Sequence, residues 1–108
     1  MPVVVREGVE VREDETEIIE PQHTPHDRNR TFAVANGENE IEVKVFGSND
    51  EQNWEERDSK IIPPNDSDSL ICGPVVYWVK LVGKTTSLGT ISKVDACLVY
   101  TSSPESGN

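Results

Sequence analysis

The sequence predicts an all-β protein: a single-domain β-sandwich or jelly roll of six to eight short antiparallel strands with an extended N-terminal arm. Three observations predict it. Between Thr31 and Tyr100 apolar residues recur with the period of two that belongs to strands. Gly, Pro, Asn and Asp punctuate that stretch at short, regular intervals. The length, 108 residues, suffices for one two-layer core and little else. Three segments follow: an arm over 1–30 with one or two strands at most, a sandwich over 31–100, and a disordered tail over 101–108.

In the arm, Val3, Val5, Val9 and Val11 alternate around Gly8, as in two short strands or one bent one. The acidic run Glu13–Glu17 follows. Helical spacing of Val11, Glu15 and Ile18 is outweighed by the β-branched content. Pro21–Arg30 has the composition of a loop. The arm either lies along a neighbour's sheet edge or folds back as an edge strand of its own sandwich.

Thr31–Ala35 is a short strand, and Asn36-Gly37 is a strong signal for a tight hairpin turn. Ile41, Val43 and Val45 then face a core while Glu42 and Lys44 face water. Ile61-Ile62 forms a brief strand stopped by Pro63-Pro64, and Leu70–Cys72 another before Gly73-Pro74. In Val75–Val82 the set Val75, Tyr77, Val79 and Leu81 faces the core. Gly83–Gly89 reads as a turn and Ile91–Tyr100 as the last strand, with Val94, Ala96 and Leu98 inward and Cys97 outward. An outward Cys97 is expected to be covered by the arm or by a neighbouring subunit.

Twenty acidic against ten basic residues leave a net charge of −10, which repels phosphate backbones and anionic lipid. No nucleic-acid or membrane partner is expected, and no apolar run is long enough to span a bilayer. Met1-Pro2 runs through Val3–Val5 straight into charge, so no secretion signal is expected. Cys72 and Cys97 are too few for a disulfide scaffold and lack zinc-site spacing.

Candidate chemistry is sparse. Gly83-Lys84-Thr85 lacks the first glycine of a phosphate loop, because Trp78 stands there. His23 and His26 are separated by a proline that denies them helical alignment, so a solvated loop is expected and no metal. Asn49-Asp50-Glu51 and Asn65–Asp68 carry oxygen ligands suited to calcium without EF-hand spacing, which makes local Asx turns the expectation. Trp54, Tyr77 and Trp78 are the candidates for a sugar-stacking platform. Trp54 is expected to plug the end of the core and Trp78 to lie at an interface. No catalytic residue and no cofactor is expected, and the chain reads as a non-enzyme. The interface candidates are Val3, Val5, Val9, Val11, Trp78 and Cys97.

Residues Val43–Trp54 form the pattern V-x-V-x-G-S-x-D-x-x-x-W. It resembles a strand-and-loop of discoidin-like carbohydrate-binding modules, of small jelly-roll proteins of tailed-phage particles such as capsid decoration proteins, and of β-domains from spore-forming bacteria. The resemblance spans about residues 31–100. It implies a β-sandwich and, in the absence of a secretion signal, a structural component of a virion assembled in the host cytoplasm. The expected partners are copies of itself in a homo-oligomer or other structural proteins of the same assembly. A surface or spore-associated filament subunit and a carbohydrate-binding module are the alternatives.

Overall fold

In a computed structural model, which describes residues 3–24, 30–73 and 76–100, the chain forms eight strands and, among those residues, no helix. They are β1 (Val3–Val11), β2 (Thr16–His23), β3 (Arg30–Ala35), β4 (Ile41–Ser48), β5 (Glu55–Ile62), β6 (Ser67–Cys72), β7 (Trp78–Thr85) and β8 (Ser92–Tyr100). All pairings are antiparallel, in two sheets ordered β1-β8-β3-β6 and β2-β7-β4-β5. Only β4 and β5 are consecutive strands joined within one sheet; every other connection crosses between sheets. This interleaving is the jelly-roll form of the sandwich.

The alternation that identified β4 and β8 buries Ile41, Val43, Val45, Val94, Ala96 and Leu98 between the sheets, with Val79 and Leu81 of β7. Phe32, Val34, Ile62 and Leu70 complete the centre from β3, β5 and β6. Each of these side chains except that of Ala96 contributes roughly 1.5–3 kcal/mol by leaving water. Of the residues expected to face the core, Val75 lies outside the described residues, and Tyr77 departs from the expectation: it is 39% exposed and precedes β7, so the parity that buries Val79 does not extend to it.

The extended arm is corrected. Its residues supply β1 and β2, each at the edge of a different sheet, so the sandwich runs from Val3 to Tyr100. Gly8, with φ of 64°, sits in a bulge where the register with β8 shifts between Arg6 and Val9. The extra residue reverses the strand's parity. Val3 and Val5 therefore point outward, whereas Val11 is fully buried and Val9 packs on the core. Pro21 is tolerated in β2 because an edge strand leaves one side unpaired. The tail Thr101–Asn108 lies outside the described residues.

Two glycine signals also need correction. Gly83 is no turn residue: β7 continues to Thr85, and a Cβ at Gly83 would lie 2.8 Å from Ile18 Cδ1. The missing side chain gives Ile18 its place in the core. Asn36-Gly37 makes no hairpin, because β3 and β4 lie in different sheets. Gly37 is needed for close approach instead, since a Cβ there would come 2.4 Å from the Lys93 carbonyl oxygen. Gly37→Ala is expected to cost about 2 kcal/mol, read as a lower urea midpoint at unchanged slope.

Charged contacts span both open sides of the sandwich. Between β1 and β2, Arg6 Nε donates to Glu20 Oε1 at 3.1 Å and Nη2 to Glu20 Oε2, and this bonding holds the Glu20 carboxyl below its ordinary range. Between β5 and β6, Lys60 Nζ donates to Asp68 at 3.2 Å and the Ile71 N–H to Asp58 at 3.1 Å. Such side chains occupy edges that would otherwise pair with another chain.

Candidate functional site

The outer face of the β1-β8-β3-β6 sheet is built from three cross-strand rows. Val3, Val99, Thr31 and Ile71 form the first; Val5, Cys97, Ala33 and Ser69 the second; Asp95, Ala35 and Ser67, with Glu7 beside them, the third. Val3, Val5 and Ile71 stand at the two edges and are each about half exposed, at 51%, 51% and 52%. The small side chains of Ala33, Ala35 and Cys97 between them leave a shallow groove of about 530 Å³. Asp95, Asp68 and Glu7 border it. The face thus grades from apolar to acidic along the strands.

Of the interface candidates, the structure brings Val3, Val5 and Cys97 onto this face. Cys97 is half-buried, with Val5 of β1 and Ala33 of β3 as its cross-strand neighbours in these rows, and it lines the open groove. Val9 and Val11 are corrected to core positions by the Gly8 bulge. Trp78 lies on the other sheet, where it meets His23 edge-on at 4.9 Å. Ile71 and Ala33 were missed. The run Leu70-Ile71-Cys72 is apolar throughout, so its outward member carries no pattern to mark it.

A second surface lies at the end of the sandwich where β4 passes into β5. Here the Asp50 carboxylate accepts hydrogen bonds from the Asn53 N–H at 2.8 Å, the Gln52 N–H at 2.9 Å, Asn53 Nδ2 at 2.8 Å and the Ser48 hydroxyl at 2.9 Å. These donors, the backbone ones foremost, hold Asp50 well below the usual carboxylate range. The acidic loop is a closed Asx network, and among the described residues no group of three His, Cys, Asp or Glu could hold a metal ion. His26 lies outside the described residues. His23 stacks on Tyr77 at 5.9 Å.

Trp54 is corrected as well. It does not plug the core but lies on the outer face of the β2-β7-β4-β5 sheet, with Lys80 Nζ 4.4 Å from its ring centroid and 5.8 Å from that of Phe46. Phe46 and Lys80 are cross-strand partners on that face. Trp54, Ser48, Asn49, Asp50, Asn53 and Val76 line a groove of about 320 Å³.

No protein-family model matches the chain, and no curated protein matches it. A solved structure does: the crystal structure of PirA is 15% identical, with a TM-score of 0.58, over 93% of this chain and 92% of that one. At that identity the likeness is one of fold, and this chain is an eight-stranded β-sandwich similar in fold to PirA.

Proposed function

We propose that this protein is a non-enzymatic structural component of a macromolecular assembly, a virion decoration or related protein, held in place through the outer face of its β1-β8-β3-β6 sheet. The observation that supports this is the exposed apolar face itself. One side of an antiparallel sheet that meets only water is ordinarily polar, whereas this one carries Val3, Val5, Val99, Cys97, Ala33, Ala35 and Ile71.

The groove's acidic border and the chain's net charge of −10 select the partner. Two copies meeting face to face would bring their carboxylates together, which is unfavourable. The occupant is therefore another protein of the assembly, apolar at its centre and basic around it. A homo-oligomer would use other surfaces.

Val5→Asp is the test. The unaltered protein is expected to sediment with particles purified from producing cells. The variant is expected to remain in the soluble fraction with an unchanged circular dichroism spectrum. Retention of the folded variant on particles, or absence of the unaltered protein from them, overturns the proposal.

A further inference from the structure

The two ends of the sandwich are built differently. At one end the β3–β4, β5–β6 and β7–β8 connections are tied together by hydrogen bonds to Asn36 and Gly37, and the described connecting segments carry no aromatic ring. The other end gathers Trp54, Tyr77, Trp78 and His23 around the β4–β5 loop. Tyr77 is tied to that loop directly, its N–H donating to the Ser48 carbonyl at 3.2 Å and lying 3.3 Å from Asn49 Oδ1.

The loop is held before any ligand arrives. Ser48 Oγ accepts from the N–H groups of Glu51 at 2.9 Å and Asp50 at 3.2 Å, and Asp50 gathers the donors described above. This network keeps Glu51 at a φ of 63°, a conformation that needs outside support in a residue with a side chain. Two amide groups at the groove keep spare capacity. Asn53 spends Nδ2 on Asp50 and Asn49 engages Oδ1 with Tyr77, while Asn53 Oδ1 and Asn49 Nδ2 have no partner among the described residues. The groove therefore offers an acceptor, a donor and an indole ring within one small concavity.

We infer that this end of the sandwich binds a neutral oligosaccharide, with Trp54 as the stacking surface and Asn49 and Asn53 as hydroxyl partners. A pyranose has an apolar C–H face that packs on an aromatic ring and a rim of hydroxyls that both donate and accept, which matches an indole beside free amide atoms. A volume of about 320 Å³ suits a short segment of such a chain. Charges around the groove largely offset one another: Glu55 is paired with Arg57 at 2.9 Å, and the Lys80 ammonium over the Trp54 ring stands against Asp50 and Glu51, so the site suits a neutral chain. The site goes beyond the assembly role and is separate from it. It lies where β4 and β5 of one sheet meet, and the docking face is the outer surface of the other sheet, so both can be occupied at once.

The experiment is a titration of isotope-labelled protein with neutral oligosaccharides built from glucose, galactose, mannose, xylose or N-acetylglucosamine, followed by amide and indole chemical shifts up to millimolar sugar. Saturable shifts are expected for at least one member, centred on Ser48–Trp54, Tyr77 and the Trp54 indole N–H. Trp54→Ala is expected to weaken that binding about tenfold or more, the size of one lost aromatic contact. Val5→Asp is expected to bind as the unaltered protein does, which separates this site from the docking face. No saturable shift with any member, shifts centred elsewhere, or full affinity in Trp54→Ala overturns the inference. Should Trp54→Ala fail to fold, the location of the shifts in the unaltered protein decides by itself.

Discussion

Asn36→Ala is expected to lower the unfolding free energy by about 3 kcal/mol, far more than an exposed turn residue would. Asn36 Nδ2 lies 2.8 Å from the Asn39 carbonyl oxygen and 3.0 Å from those of both Ile62 and Pro63, so its two hydrogens serve three acceptors. Its Oδ1 accepts from the Gly37 N–H at 2.8 Å and from the Ser92 hydroxyl at 2.7 Å. One buried amide thereby joins the ends of β3, β5 and β8 where three connections cross between the sheets. Alanine would strand these groups without water or partner, the costliest way to lose a hydrogen bond. Asn36→Asp should be no better, since a carboxylate would face three carbonyl oxygens with no hydrogen to donate. Urea unfolding measures both variants. A loss below about 1 kcal/mol for Asn36→Ala would mean that water reaches these groups.

Arg30→Met should be comparably damaging, at about 3 kcal/mol. Arg30 is 0% exposed at the start of β3, and its guanidinium serves the opposite end of the molecule from Asn36. Nη1 donates to the Val76 carbonyl at 2.9 Å, and Nη2 to the Gly73 carbonyl at 2.7 Å and to Cys72 Sγ at 3.4 Å. These contacts anchor the β6–β7 connection as it leaves one sheet for the other. Methionine retains much of the volume and none of the donors. Arg30→Lys should recover only part of the loss, because a single ammonium cannot reproduce the fork that reaches both carbonyls. Thiol labelling gives an independent reading: Cys72, buried beside Arg30, should react faster in Arg30→Met even where the global unfolding midpoint still lies well above the labelling conditions. Unchanged Cys72 labelling together with unchanged stability would show that the connection holds itself.

What the sequence determined by itself is the all-β class, the two-layer architecture and the part of the core that β4, β7 and β8 supply, whereas β2 and most of β5 carry no alternation that marks them as strands. Ile41-Val43-Val45 and Val94-Ala96-Leu98 are regular strands with one face in the core, and there the period of two reports burial directly. Val3, Val5 and Cys97 were legible as surface candidates on the same basis. Only the tertiary structure decided which strand lies beside which, and with that the remaining assignments. A single bulge at Gly8 sends Val9 and Val11 inward while Val3 and Val5 stay out, and one inserted residue leaves no trace in the alternation of the valines. Asn36-Gly37 carries the local chemistry of a hairpin, yet it serves a crossing between sheets because its side-chain partners, Ile62, Pro63 and Ser92, are distant in sequence. Arg30 looks like a loop cation until Cys72, Gly73 and Val76 close around its guanidinium. Trp54 follows a loop in either view, but whether it enters the core or lies over Lys80 depends on what β7 presents beside β4. Periodicity is a property of one strand and can be read along the chain. A hub, a crossing or a groove is a property of several strands whose contacts are non-local, and it exists only once they are packed.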